Sequence, residues 1–154
     1  MLREKAISDL LNKHKDAYII SDLGRIGREV FKQRQKGVFI LQGSMGHSLS
    51  ISLGLALNTK KKVLCLIGDG ALLMKLGSIA TIFDKKPKNL DIVVLNNKCL
   101  ESTGKQPTSF EAIKYWLPMK VIDIKLGGNV APRPDKTCKQ ITDDFRKNIE
   151  TKKP

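Results

Sequence analysis

Apolar positions along the chain follow two alternating spacings. Leu2, Ala6, Ile7, Leu10 and Leu11 recur at the interval of a helix that buries one face, and Ala17 to Ile20 then form a short continuous apolar run. Residues 25–35 read as a second helix and Val38 to Leu41 as a second strand. Gly43-Ser44-Met45-Gly46 is a sharp loop before a helix of small residues from about Ser48 to Leu57. Val63-Leu64-Cys65-Leu66-Ile67 is a further strand that stops at Gly68-Asp69-Gly70, with one helix predicted from Ala71 to about Phe83. Ile92 to Leu95 follows and ends in Asn96-Asn97. Strands that are apolar on both faces and alternate with helices predict an α/β domain of three αβα layers with a mostly parallel sheet.

Beyond Asn97 the pattern loosens. Lys98 to Ser109 is polar, carries Glu101-Ser102-Thr103-Gly104, and reads as an active-site loop. Val121 to Ile124 is a last strand, Gly127-Gly128 and Pro132-Arg133-Pro134 form a loop, and Ile141, Phe145 and Ile149 set one apolar stripe on a terminal helix. At 154 residues the chain is read as one domain over residues 1–150 with a short tail at 151–154.

Two strands end in oxygen-bearing side chains, Asp69 and Asn97, and parallel α/β sheets bind ligands beyond the carboxyl ends of their strands. A carboxylate, an amide oxygen and a nearby main-chain carbonyl are hard ligands that suit Mg²⁺, which keeps further positions for water or phosphate. Gly68 and Gly70 clear side chains from a place where backbone approaches a ligand, and the helix that follows aims free N–H groups there. An anion, most simply a diphosphate, is expected.

Charge changes this picture little. The net charge is +13, yet only six of the 28 basic residues are Arg and aromatics are 5%. No basic run is interleaved with stacking side chains, so nucleic acid is set behind a Lys-rich solvated surface. Lys60-Lys61-Lys62 and Lys85-Lys86 follow predicted helices, where cations suit the negative end of the dipole. Cys65, Cys99 and Cys138 show neither disulfide nor zinc spacing. No segment reads as a signal peptide or a membrane span, and a cytoplasmic protein is expected.

Gly68-Asp69-Gly70, 25 intervening residues and Asn96-Asn97 resemble the cofactor signature of thiamine-diphosphate enzymes. Either half alone is an ordinary turn; together, at strand ends, they match the spacing of that family's diphosphate-binding domain. Gly43-Ser44-Met45-Gly46-His47 and Glu101-Ser102-Thr103-Gly104-Lys105-Gln106-Pro107-Thr108 look like motifs of its phosphonopyruvate and sulfopyruvate decarboxylases. Ser21-Asp22-Leu23-Gly24 and Arg28-Glu29-Val30-Phe31 look like the start of the same domain. The family loop is typically Ser-Thr-Gly-Gly-Gln, and Lys105 stands here in place of its second Gly. The similarity runs from about Arg3 to Thr108 and resumes from about Val121 to Phe145.

The resemblance implies the thiamine-diphosphate-binding fold, with thiamine diphosphate and Mg²⁺ as cofactors. By position, Asp69, Asn97 and the Cys99 carbonyl would hold the metal, and Gly68, Gly70 and Ala71 would meet the diphosphate. The Gly43 carbonyl would accept from the aminopyrimidine, Ser44 would lie beside it, and Met45, flexible and apolar, would wedge beneath the cofactor. His47 and Glu101 are candidate catalytic residues. His47 is either a donor to the substrate or a structural histidine at a helix start, and Glu101 is either functional or a solvated loop charge. The implied reaction is decarboxylation of a small anionic 2-oxo acid, with 3-phosphonopyruvate giving phosphonoacetaldehyde and CO₂ placed ahead of sulfopyruvate. The family's pyrimidine-binding domain is expected on a partner chain in a hetero- or homo-oligomer. The rival class is a degenerate or non-enzymatic basic binding module. Between Thr108 and Met119 the family's usual helix, strand and helix are missing, so a lost strand or a rearranged sheet edge is expected.

Overall fold

The computed structural model describes residues 1–149; the expected tail at 151–154 lies outside the described residues. In chain order the elements are α1 (Arg3–Lys13), β1 (Tyr18–Ser21), α2 (Gly24–Gln33), β2 (Val38–Ile40), α3 (Ser48–Asn58), β3 (Val63–Gly68), α4 (Asp69–Met74) and α5 (Gly77–Lys85). There follow β4 (Leu90–Asn96), β5 (Cys99–Leu100), β6 (Gln106–Pro107), β7 (Lys120–Asp123) and α6 (Cys138–Lys147). Five strands make one sheet in the order β2-β1-β3-β4-β7, with every pairing parallel. The expected α/β architecture is present. β5 and β6 form a separate antiparallel hairpin.

The alternation along β3 explains the layers. Leu64 and Leu66 face one side of the sheet, against Ile7, Leu10 and Leu11 of α1 and Val30 and Phe31 of α2. Cys65 and Ile67 face the other, against Leu49 and Leu53 of α3, Leu72 of α4 and Ile79 and Ile82 of α5. A central strand buried on both faces has no polar side, which is why its sequence is a continuous apolar run. α6 covers the β2 edge: Phe145 packs edge-on against Tyr18, with ring centroids 6.0 Å apart. Its start is fixed by a capping box in which the Thr137 hydroxyl accepts from the Gln140 N–H and the Gln140 side chain accepts from the Thr137 N–H.

One expectation is corrected. The single helix predicted from Ala71 to about Phe83 is two helices, α4 and α5, broken at Lys75 and Leu76. Ala71 and Leu72 of α4 and Ile79 and Ile82 of α5 bury in the same core layer, and Gly77, weak in a helix interior, opens the second helix. The expected loss at the sheet edge is present: β7 pairs directly with β4 over Val93–Asn96, with no strand between them. The residues leading to it form two single-turn 3₁₀ helices, Phe110–Ala112 and Lys114–Trp116, and the fully buried Phe110 ring fills the core beneath them. No helix among the described residues is long and apolar enough to cross a membrane.

Candidate cofactor site

β1 lies between β2 and β3, and the chain leaves it first towards β2 and later returns on its other side as β3. That reversal opens a crevice beyond the carboxyl ends of the strands, where α/β sheets receive ligands. A cavity of about 190 Å³ lies there. The last paired residues of β3 and β4 are Gly68 and Leu95, so Asp69 and Asn97 emerge side by side from neighbouring strands and both line the cavity. Met45, Gly68, Gly70, Ala71, Cys99 and Glu101 line it too.

Asp69 is 2% exposed. Its carboxylate accepts the Thr108 hydroxyl, and the N–H groups of Asn97 and Gly70 also stabilise its charge. Burial nevertheless dominates and raises its pKa above the ordinary range. No cationic side chain pairs with it among the described residues. A buried carboxylate short of positive charge, in one cavity with the Asn97 side chain, suits a hard divalent cation. Among the described residues no group of three or more His, Cys, Asp or Glu gathers into a metal cluster.

The Asn96-Asn97 pair divides its work. Asn96 is fully buried, and its amide donates to Glu111 and Asp123 at 2.7 Å each, tying the end of β4 to β7. Asn97 faces the cavity; its oxygen accepts the Cys99 N–H at 3.2 Å and its amide donates to Glu101 at 3.3 Å. Gly70 is needed for contact with this hairpin, because a Cβ there would lie 2.5 Å from the Leu100 side chain. Lys105 holds φ 61° in the position of the second Gly of the resembled loop, so the left-handed turn is kept with a side chain on it.

The Gly43–Gly46 loop is shaped from below. Asp22, 1% exposed at the end of β1, accepts the Gly46 N–H at 2.9 Å and the Ser48 hydroxyl at 2.7 Å through one oxygen, and the Leu23 N–H through the other. Gly46 has φ 87°, and a Cβ on it would stand 2.4 Å from the Ala71 carbonyl oxygen. The loop therefore presses on α4 and points Met45 into the cavity. Gly43 and Ser44 are exposed and lie outside its lining.

The two catalytic candidates sit differently. His47 is outside the cavity lining, half-buried, with Nδ1 3.0 Å from the Ser44 carbonyl, where it stiffens the loop. Glu101 lines the cavity, but its carboxylate is held by Arg3 at 2.8 Å and Arg25 at 2.5 Å. The Arg3 and Glu101 side chains are 4% and 6% exposed, so this is a buried ion triad, not a solvated loop charge.

The family model described as thiamine pyrophosphate enzyme, C-terminal TPP binding domain, matches residues 22–154. The chain belongs to this family. Sulfopyruvate decarboxylase subunit beta of Methanothermobacter thermautotrophicus is 40% identical over 112 residues, 72% of this chain and 60% of that protein. The subunit of the same name from Methanocaldococcus jannaschii is 45% identical over 92 residues, 58% of this chain and 48% of that one. Phosphonopyruvate decarboxylase of Streptomyces viridochromogenes is 38% identical over 100 residues, 64% of this chain and 25% of that protein. The chain thus spans about half to three fifths of the two subunits.

In this C-terminal TPP binding domain, Asp22, Thr108, Arg3 and Arg25 shape the site without having been assigned a part in it from sequence. Asp22 carries a usable signal: like Asp69 it is an acid directly after an apolar strand. Thr108 and the arginines act across 39 to 98 residues of chain, and no local pattern marks them.

Proposed function

We propose that this TPP binding domain is the diphosphate-binding half of a decarboxylase acting on a 2-oxo acid with a distal sulfonate or phosphonate. The observation that carries the reading is the convergence of Asp69 and Asn97 from adjacent parallel strands on one cavity at the reversal point of the sheet. The names of the relatives support the substrate class. Magnesium is the cation that fits the oxygen donors, and Asp69, Asn97 and the Cys99 carbonyl would hold it.

Thiamine diphosphate, when bound, supplies an electron sink for the pair released as CO₂ leaves. The chain's own residues position and shield. Asp69 supplies the full negative charge of the metal site, and Thr108 and the neighbouring N–H groups fix its orientation. Gly70, which leaves room for close approach, and Ala71, at the start of α4, would meet the diphosphate. Met45 supports the cofactor from below, and its loop is set by Asp22. Glu101 pairs with both Arg3 and Arg25 and holds the Asn97 amide, whose oxygen accepts the Cys99 N–H.

The pyrimidine-binding half is supplied by an α-type partner subunit. Three curated relatives are named as beta subunits, which supports that arrangement. Gly43 and Ser44 lie exposed beside the cavity, and Met74 and Leu76 are 52% and 38% exposed at the break between α4 and α5, an apolar margin suited to a second chain.

Calorimetry with thiamine diphosphate and Mg²⁺, with and without the pyrimidine-binding subunit, tests the proposal. Mg²⁺-dependent binding lost in D69A and N97A is expected. No binding by the wild-type chain with its partner present would overturn it.

A further inference from the structure

A second cleft, of about 340 Å³, adjoins the cofactor cavity and shares Leu23, Gly24 and Ser102 with it. Two guanidinium groups line this cleft, Arg28 from α2 and Arg133 from the loop before α6, and no acidic residue does. Neither has a hydrogen-bond or ion-pair partner among the described residues. This contrasts with Arg3 and Arg25, which are both spent on Glu101.

The cleft walls are built independently of any ligand. Gly27 lets α2 sit down on the strand ends, since a Cβ there would come 2.5 Å from the Asp22 carbonyl oxygen. Arg28 is thereby set beside the ends of β1 and β2. On the other wall, Gln42 donates to the Lys136 carbonyl at 3.3 Å and accepts from the Cys138 thiol at 3.1 Å, strapping the 132–138 segment to the end of β2. Pro132 and Pro134 flank Arg133 and fix the backbone on either side of it. Two unpaired planar cations facing a preformed cleft are arranged for a tetrahedral oxyanion, which each can bind through paired N–H groups.

We propose that Arg28 and Arg133 form the specificity subsite that receives the distal sulfonate or phosphonate of the substrate, with Ser102 at the partition between that subsite and the cofactor cavity. The assignment rests on the decarboxylase reading above, and it goes beyond it by naming the residues that choose the substrate. A substrate whose carbonyl reaches the cofactor cavity needs its third carbon to point into the adjoining cleft, where the positive charge stands.

The test is calorimetric titration of the full chain with phosphonoacetate, inorganic phosphate and pyruvate, for the wild type, R28Q and R133Q, with thiamine diphosphate plus Mg²⁺ titrated in parallel in the presence of the pyrimidine-binding subunit. Phosphonoacetate is expected to bind the wild type more tightly than inorganic phosphate or pyruvate, and to lose at least tenfold in affinity in either variant. Thiamine diphosphate affinity is expected to stay within twofold in both, which also shows that the variants fold. The subsite is overturned if the wild type does not bind phosphonoacetate, if either variant binds it within twofold of the wild type, or if inorganic phosphate binds as well as phosphonoacetate. If the wild type, with the pyrimidine-binding subunit present, binds no thiamine diphosphate but still shows arginine-dependent phosphonoacetate binding, the oxyanion subsite stands and the decarboxylase reading falls.

Discussion

The Asp22 carboxylate accepts the Gly46 main-chain N–H at 2.9 Å, joining the end of β1 to the loop that carries Met45. Both partners are buried, and the same oxygen also takes the Ser48 hydroxyl. Replacing Asp22 by Ala strands these donors in a water-poor place, and an unsatisfied buried donor costs about 1–3 kcal/mol. D22A should lower unfolding stability by about 2–4 kcal/mol in urea titrations and weaken thiamine diphosphate binding at least tenfold, because the loop is no longer held against α4. Full cofactor affinity in D22A would remove Asp22 from the positioning of the loop.

Asp69 should show opposed effects on stability and on binding. Its raised pKa means that the folded chain holds the proton to higher pH than the unfolded chain does. Stability is therefore present below that window and is lost as pH rises through it, towards the folded value. D69N removes the buried charge while keeping an oxygen for Thr108, so at neutral pH the metal-free variant should be more stable than wild type. With Mg²⁺ and thiamine diphosphate at 100 times Kd the wild type should gain about 2.7 kcal/mol and D69N nothing. Urea titrations in both conditions would show the order of the two proteins reversing; a wild type that gains nothing refutes the metal assignment.

Glu101 discriminates a structural role from a proton-transfer role. Removing one partner of a buried ion pair costs about 3–5 kcal/mol, because the other charge is left uncompensated. E101A leaves Arg3, 4% exposed, without its carboxylate. A loss of that size in urea titrations is expected, with part of it recovered in R3M/E101A, where only the more exposed Arg25 is left without its carboxylate. A variant as stable as wild type would instead free Glu101 for direct work on the substrate.

Legibility followed the range over which the physics acts. The parallel sheet could be read because β3, buried on both faces, and the later part of β4 leave apolar runs at Val63–Ile67 and Ile92–Leu95. Asp69 and Asn97 could be read because strand ends are where such sheets bind ligands. The break at Lys75 and Leu76 was hidden, since the apolar residues of α4 and α5 together satisfy the spacing of one helix. The partners of Glu101 were hidden for a different reason: Arg3 and Arg25 are 98 and 76 residues away, and only the folded sheet brings their helices to one crevice.

The three cysteines should separate cleanly by reactivity. The Cys65 thiol is fully buried between sheet and α3, and burial pushes its pKa up to about 12. Cys99 is also buried and its pKa is raised, first by burial and then by the charge of Glu101. Only the thiolate attacks a disulfide reagent, so at pH 8 both should react slowly. Cys138 is exposed and should react fast, giving one thiol per chain in the rapid phase of a chromogenic disulfide assay. C138S should abolish that phase and leave the slow thiols unchanged. Because the Cys138 thiol donates to Gln42, labelling it also strains the strap beside Arg133. A phosphonate bound in the cleft should therefore slow the rapid phase, and a rate unaffected by saturating phosphonate would show that the strap and the oxyanion cleft are not coupled.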